Sequence, residues 1–232
     1  MIITISTPDE FYYKQLLVFL VSLRKFNPYA HTTVYLDGHT YEQIAFLREK
    51  FWPINFEYRT INKVDNRGIH YILLRIELLL ECLYRGDNAV WIDTDVIIRG
   101  DLKEFLTIEP KQLKILFRGE EQQEKVRFNA GVLNIGSSEE TISFVERWKE
   151  RLLNNMTWGM GQLELYRAYQ EHKGSIELVP MSSDYNDLGC SIKKPEEFFR
   201  EDSMIWHCKK GHFDNPRFQK EFQHYLNIAE RY

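Results

Sequence analysis

Apolar positions in the first hundred residues switch repeatedly between two periods. Ile2 to Ser6 is a β-branched run that stops at Thr7-Pro8-Asp9 and predicts a strand. Phe11, Leu16, Leu17, Leu20, Leu23 and Phe26 then recur at helical spacing, and Asn27-Pro28 closes that helix. Thr32 to Leu36 predicts a second strand, closed by Asp37-Gly38. Tyr41 to Phe51 predicts a second helix with Ile44, Leu47 and Phe51 on one face. Ile54 to Tyr58 reads as a short strand, and Arg59 to Gly68, polar and without period, as a loop. The Leu-rich stretch Ile69 to Tyr84 is the strongest helix pattern, ended by Arg85-Gly86-Asp87. Ala89 to Ile92 is too uniformly apolar for a half-exposed edge, so it predicts a central strand covered on both faces.

This alternation calls for a mostly parallel sheet with helices on both faces, whose ligands bind beyond the carboxyl ends of the strands. The second half is less regular. Leu113 to Phe117, Gly131 to Ile135, Ile176 to Val179 and Met204 to Trp206 read as strands. Glu139 to Leu153, Gln162 to Glu171 and Phe218 to Tyr232 read as helices. No internal repeat, low-complexity stretch or linker divides the chain, which predicts one α/β domain.

Composition narrows the partners. At 232 residues and 44 % hydrophobic, the chain can bury a single core without a disulfide or metal staple. Lys and Arg total 30 against 34 Asp and Glu, a net charge of −4, which argues against nucleic acid as the partner. The three cysteines, Cys82, Cys190 and Cys208, are odd in number and scattered, so a reducing compartment is expected. The first residues carry no basic region, and the longest apolar stretch, Leu16 to Leu23, is far below the ~20 residues that cross a bilayer. A cytoplasmic protein without a membrane span is the expectation; oligomeric state is not encoded in any pattern.

The segment that carries chemistry is Val90-Trp91-Ile92-Asp93-Thr94-Asp95-Val96-Ile97-Ile98. Two carboxylates stand two residues apart directly after a buried strand, with aliphatic runs on both sides. Burying both unpaired costs several kcal/mol per ion. A divalent cation removes that cost, and oxygen ligands favour Mg²⁺ or Mn²⁺, ions that commonly also hold a phosphate or diphosphate. The alternative is a solvated turn with local hydrogen bonds.

An apolar strand, Asp-x-Asp, an apolar run and Gly100-Asp101-Leu102 resemble the metal-binding motif of GT-A-fold glycosyltransferases, most closely the glycogenin-like families (glycosyltransferase family 8 and relatives). Further matches fall in order along the chain. Thr7-Pro8-Asp9-Glu10-Phe11 resembles the loop that holds the nucleotide base. Arg75 resembles the basic residue on the helix before the metal strand. Phe128-Asn129-Ala130-Gly131-Val132-Leu133-Asn134 is similar to the donor-sugar segment. Leu178-Val179-Pro180 with Tyr185-Asn186 resembles the Leu-Pro…Tyr-Asn element. Trp206-His207, with Lys209-Lys210-Gly211, resembles the C-terminal histidine that completes the metal site. Two departures stand out: Gly161-Gln162 replaces the usual Asp-Gln, and the spacing after His207 is altered.

The resemblance implies a single GT-A-like domain with a mixed, mostly parallel central sheet. Residues 1–100 would be its nucleotide-binding half and 101–232 its donor-sugar and acceptor half. It implies a metal-dependent transferase that moves a sugar from a nucleoside-diphosphate sugar, UDP-linked by analogy, to a hydroxyl of a glycan or glycoconjugate. Asp93, Asp95 and His207 would hold Mn²⁺ or Mg²⁺, with Asp93 also at the donor. Arg75, Lys209 and Lys210 would meet the phosphates; Thr7 and Phe11 the base; Asn129 and Gly131 the sugar. Gln162 would lie beside the anomeric carbon if configuration is retained. If it is inverted, a carboxylate base is required, and Asp184 is the first candidate, followed by Asp187, Glu120 and Glu121. Trp158 and Tyr185 are candidates for stacking on an acceptor sugar. Competing readings are a non-catalytic nucleotide- or carbohydrate-binding module on the same fold and a sugar-nucleotide pyrophosphorylase. The second lacks its Gly-rich loop here, because Ser6-Thr7-Pro8-Asp9-Glu10 follows the first strand.

Overall fold

A computed structural model describes residues 1–59, 67–157, 159–187, 200–207 and 215–231. Its main sheet has seven strands in the order β3-β2-β1-β4-β7-β6-β8. These are β1 (Ile2–Ser6), β2 (Thr32–Asp37), β3 (Asn55–Arg59), β4 (Ala89–Ile92), β6 (Gln112–Phe117), β7 (Phe128–Ile135) and β8 (Glu177–Pro180). β1 runs parallel to β4, β2 to β3 and β6 to β8, while β6 and β7 are antiparallel. The expected α/β class with a mostly parallel mixed sheet is what the chain adopts. β4 is the fourth of seven strands and all four of its residues are buried, as its uniform apolarity requires.

Residues 1–3, 62–91 and 105–181 form one compact unit; residues 4–61, 92–104 and 182–232 form another. In the first, α3 (Arg67–Tyr84) packs on α6 (Glu139–Asn154), α6 on α7 (Gly161–His172) and α7 on β7, and the short α5 (Glu124–Arg127) lies against α7. In the second, α1 (Glu10–Phe26) packs on α8 (Pro216–Ala229) and on β5 (Val96–Ile98), and α2 (Tyr41–Lys50) on β3. A short helix, α4 (Lys103–Leu106), follows β5.

Local chemistry explains where these elements start. Asp9 caps α1 by accepting from Phe11 N at 3.0 Å. Thr40 with Gln43 forms a capping box on α2, and Ser138 with Thr141 forms one on α6. Ser22, which interrupts the apolar run of α1, is fully buried. Its Oγ donates to Phe19 O and accepts the Ile98 amide at 3.1 Å, so this buried polar residue anchors β5.

Several strands shift by one residue from the sequence expectation, and two differ by more. β7 begins at Phe128 rather than Gly131, so the Asn129-Ala130-Gly131 segment lies within a strand. The register with β6 jumps there: Ile115 pairs Leu133, while the next residue, Leu116, pairs Asn129. Residues 130–132 therefore bulge out of the β6 ladder, which an alternation pattern cannot announce. Val96 to Ile98 is also a strand, outside the main sheet. It pairs antiparallel with β9 (Ile205–His207), with Val96 opposite His207, Ile97 opposite Trp206 and Ile98 opposite Ile205.

Candidate metal centre and donor-site elements

Asp93 is the first residue after β4 and Asp95 the last before β5. The ribbon register sets His207 across from Val96, beside Asp95. One ligand atom from each of Asp93, Asp95 and His207 lies within 4.8 Å of the others. His207 Nε2 is 3.1 Å from Asp95 Oδ1 and 3.8 Å from Asp93 Oδ2. The imidazole is 2 % exposed and the two carboxylates about a quarter exposed, so the cluster has one buried wall and one accessible side.

The orientation of the imidazole is set by its other nitrogen. Nδ1 donates to Asn186 Oδ1 at 2.8 Å, and Asn186 is itself 1 % exposed. The lone pair is thereby placed on Nε2, the arrangement that orients metal-bound histidines. Asp95 Oδ1 is buried and takes part in no hydrogen bond, despite its approach to Nε2. A carboxylate oxygen and the lone pair of a neutral imidazole facing each other at this distance repel unless a metal ion, or a proton on Nε2, lies between them. Two carboxylates and one imidazole suit Mn²⁺ or Mg²⁺, so the residues present fit the ion that the Asp-x-Asp pattern implies.

Residues 31–209 match the model of the nucleotide-diphospho-sugar transferase family. The chain belongs to that family. Its structural neighbours are glycosyltransferases of the GT-A type. GlyE of Streptococcus pneumoniae TIGR4 is similar with a TM-score of 0.63 and 17 % identity, over 98 % of this chain and 61 % of GlyE. The chain thus spans about three fifths of GlyE. An active-site mutant of LgtC gives a TM-score of 0.63 at 15 % identity, over 98 % of this chain and 95 % of that one. The galactosyltransferase LgtC with donor and acceptor sugar analogues gives 0.57 at 14 %, over 96 % and 95 %. No curated protein matches at the sequence level.

The other residues expected from the sequence have the following surroundings, each within its own unit. Thr7 follows β1, and Phe11 opens α1 with its ring 5.5 Å from that of Tyr12. Arg75 lies on α3, where Glu77 is bound by Lys149 at 2.9 Å. Its guanidinium lies 4.6 Å from the Trp91 ring centroid and donates to Ala130 O at 2.9 Å, a carbonyl released by the β7 bulge. Asn129 turns its Oδ1 onto the Gly131 amide at 3.0 Å, which stiffens the bulge from within. Gln162 stands in the first turn of α7. Gly161 before it has its carbonyl held by Trp148 Nε1 at 3.0 Å, and a Cβ on Gly161 would stand 3.0 Å from Ile72 Cδ1.

Asp184 lies on a single 3₁₀ turn, Ser183–Tyr185, and its carboxylate is engaged by the Arg200 guanidinium and by Ser182 Oγ at 2.7 Å. Asp187 accepts from the Arg200 amide and from Ser203 Oγ. Glu120 is paired with Arg127 at 2.6 Å and accepts the Tyr166 hydroxyl. The Tyr185 hydroxyl donates to Glu104 at 3.4 Å, and burial raises its pKa. Lys209, Lys210 and Trp158 lie outside the described residues. The partner that sequence reasoning missed is Asn186. It was visible only as part of the Tyr-Asn pair, with nothing to say that its amide would meet His207.

Proposed function

We propose that the protein transfers a sugar from a nucleoside-diphosphate donor, UDP-linked by analogy, to a hydroxyl of a glycan or glycoconjugate, with Mn²⁺ or Mg²⁺ held by Asp93, Asp95 and His207. The observation that carries this reading is the buried Asp95 oxygen without a hydrogen bond, 3.1 Å from the Nε2 of an imidazole whose Nδ1 is bound to Asn186. When bound, the ion neutralises charge on the departing diphosphate.

In the reaction the bond from the anomeric carbon to the diphosphate oxygen breaks. A bond to the acceptor oxygen forms, and the acceptor proton passes to a base. Arg75 is assigned to the phosphates; its stacking on Trp91 and its bond to Ala130 O fix the guanidinium in one orientation. Asn129 and Gly131 are assigned to the donor sugar and Thr7 and Phe11 to the base. Lys209 and Lys210 are assigned to the diphosphate. The ion pair of Asp184 with Arg200 favours the route in which the donor's own phosphate oxygen takes the proton and configuration is retained, with Gln162 beside the anomeric carbon. Asp184 would serve only if Arg200 released it.

The test is release of nucleoside diphosphate from a panel of nucleotide sugars with Mn²⁺, with and without glycan acceptors. Turnover by the wild type and its loss in Asp95→Asn support the reading. Binding of nucleotide sugars without turnover or hydrolysis would leave the non-catalytic binding module as the better account.

A further inference from the structure

His207 sits on a three-residue strand whose ladder partner is another three-residue strand. Such a ribbon is marginal by itself, so its geometry must be fixed from outside the ladder. The other edge of β9 is held by Asp187, whose amide donates to Ile205 O at 3.0 Å and whose carbonyl accepts the His207 amide at 2.8 Å. Arg99, the residue immediately after β5, supplies a second hold. Its amide donates to Met204 O at 2.8 Å. Its Nη1 donates to Glu201 O at 2.7 Å and to Arg200 O at 3.3 Å. Its guanidinium lies 3.8 Å from the ring centroid of Trp206, the residue directly before His207. Arg217 of α8 is a second cation over the same ring, at 5.2 Å, and Trp206 Nε1 donates to Arg200 O at 2.9 Å. Arg200, Glu201 and Trp206 thus converge on one guanidinium. Gly100 completes the arrangement, because a Cβ there would collide with Met204 Sδ.

We propose that Arg99 is a positioning residue for the metal centre: by clamping the 200–206 segment and the Trp206 ring, it holds His207 Nε2 in place beside Asp95. The proposal rests on the metal reading above. Among the described residues, Arg99 makes no hydrogen bond or ion pair with Asp93 or Asp95, so it acts through β9. Its charge works in the opposite sense. A cation near a divalent-ion site disfavours the ion by Coulomb repulsion, so deleting it on electrostatic grounds alone would tighten binding. Loss of affinity on removing Arg99 therefore reports position.

The experiment titrates the protein with Mn²⁺ alone and reads the free ion by its electron paramagnetic resonance signal. Wild type, Arg99→Gln, Arg99→Lys, Asp95→Asn, His207→Ala and the double variant Arg99→Gln/His207→Ala are compared, with folding checked by circular dichroism. Arg99→Gln is expected to bind Mn²⁺ about 10-fold more weakly, the low end for partners that orient a metal ligand. Arg99→Lys keeps the charge but not the planar fork, and is expected to lose affinity too; it decides the matter if Arg99→Gln does not fold. In the His207→Ala background Arg99→Gln is expected to cost nothing further. Unchanged or tighter Mn²⁺ binding by the folded Arg99 variants, or a full additional loss on top of His207→Ala, overturns the proposal. If Asp95→Asn loses Mn²⁺ while the Arg99 variants keep it, the metal reading stands and only the positioning claim falls. If the wild type takes up no Mn²⁺, the metal reading fails and the claim falls with it.

Discussion

Asn186 and His207 are joined side chain to side chain, amide oxygen to ring Nδ1, at 2.8 Å in a buried setting. This contact decides what the opposite ring nitrogen can do. With the proton on Nδ1, Nε2 offers a lone pair toward the two aspartates. Asn186 also closes the 3₁₀ turn through its amide to Ser183 O, so the acceptor is fixed in its own backbone. Replacing it by Ala should leave the fold intact and weaken Mn²⁺ binding about 10- to 100-fold, measured by calorimetry with and without a nucleoside diphosphate. Equal affinity in wild type and Asn186→Ala would remove the orienting role.

Asp95→Asn separates the site from the fold. The carboxylate is a quarter exposed, makes no hydrogen bond through its buried oxygen, and faces a nitrogen lone pair. An amide of the same shape can donate to that lone pair, so the melting temperature should hold or rise slightly. Metal-dependent turnover should fall by at least about 10²-fold, the scale for losing one group that stabilises developing charge. A variant that loses stability and activity together would point to a structural carboxylate.

The regular part of the fold was legible because periodicity reports burial. Ala89 to Ile92 reads as a central strand because nothing polar interrupts it, and β4 is buried at every residue. The Asp-x-Asp pair was legible for the same reason, as two charges where burial should continue. What the chain did not announce depends on partners distant in sequence. Residues 130–132 leave the ladder through a register jump that only β6 defines. Val96 to Ile98 pairs with a strand more than a hundred residues away, and Ser22 is an interruption until the Ile98 amide is placed beside it. The carboxylates at Glu120, Asp184 and Asp187 look available in sequence, yet Arg127, Arg200 and Ser203 occupy them.

Glu164 is the carboxylate whose loss should cost most in stability. It is 2 % exposed in the first turns of α7, where it accepts from Arg151 Nε at 2.8 Å, Asn155 Nδ2 at 3.0 Å and Arg167 Nη1 at 3.3 Å. It ties the end of α6 to the start of α7, the turn that carries Gln162. Breaking a buried pair typically costs ~3–5 kcal/mol, and partial exposure of both arginines favours the lower end. Glu164→Ala should therefore lower the melting temperature by roughly 6–12 °C, at ~2–4 °C per kcal/mol for a chain of this size. A shift under about 2 °C would mean that water replaces the carboxylate without loss.

Acid should destabilise the protein through His39. This residue is 4 % exposed on the turn after β2, with Nε2 3.5 Å from Ser6 Oγ and the ring 5.9 Å from that of Tyr13. Burial pushes its pKa down from 6.5 to about 4, against a smaller upward pull from Asp37. Above pH 6.5 the imidazole is neutral in both folded and unfolded chains, and its burial carries no proton-linked cost. Between 6.5 and 4 the unfolded chain takes up a proton that the folded chain excludes, so stability falls as the pH drops. Below 4 both states hold the proton and the slope disappears. A separation of this size corresponds to about 3 kcal/mol over the full window. Urea midpoints at pH 7.5 and pH 5 should show a smaller difference in His39→Gln than in the wild type, because the amide has no proton to take up. Equal differences in the two proteins would assign the acid sensitivity to other groups.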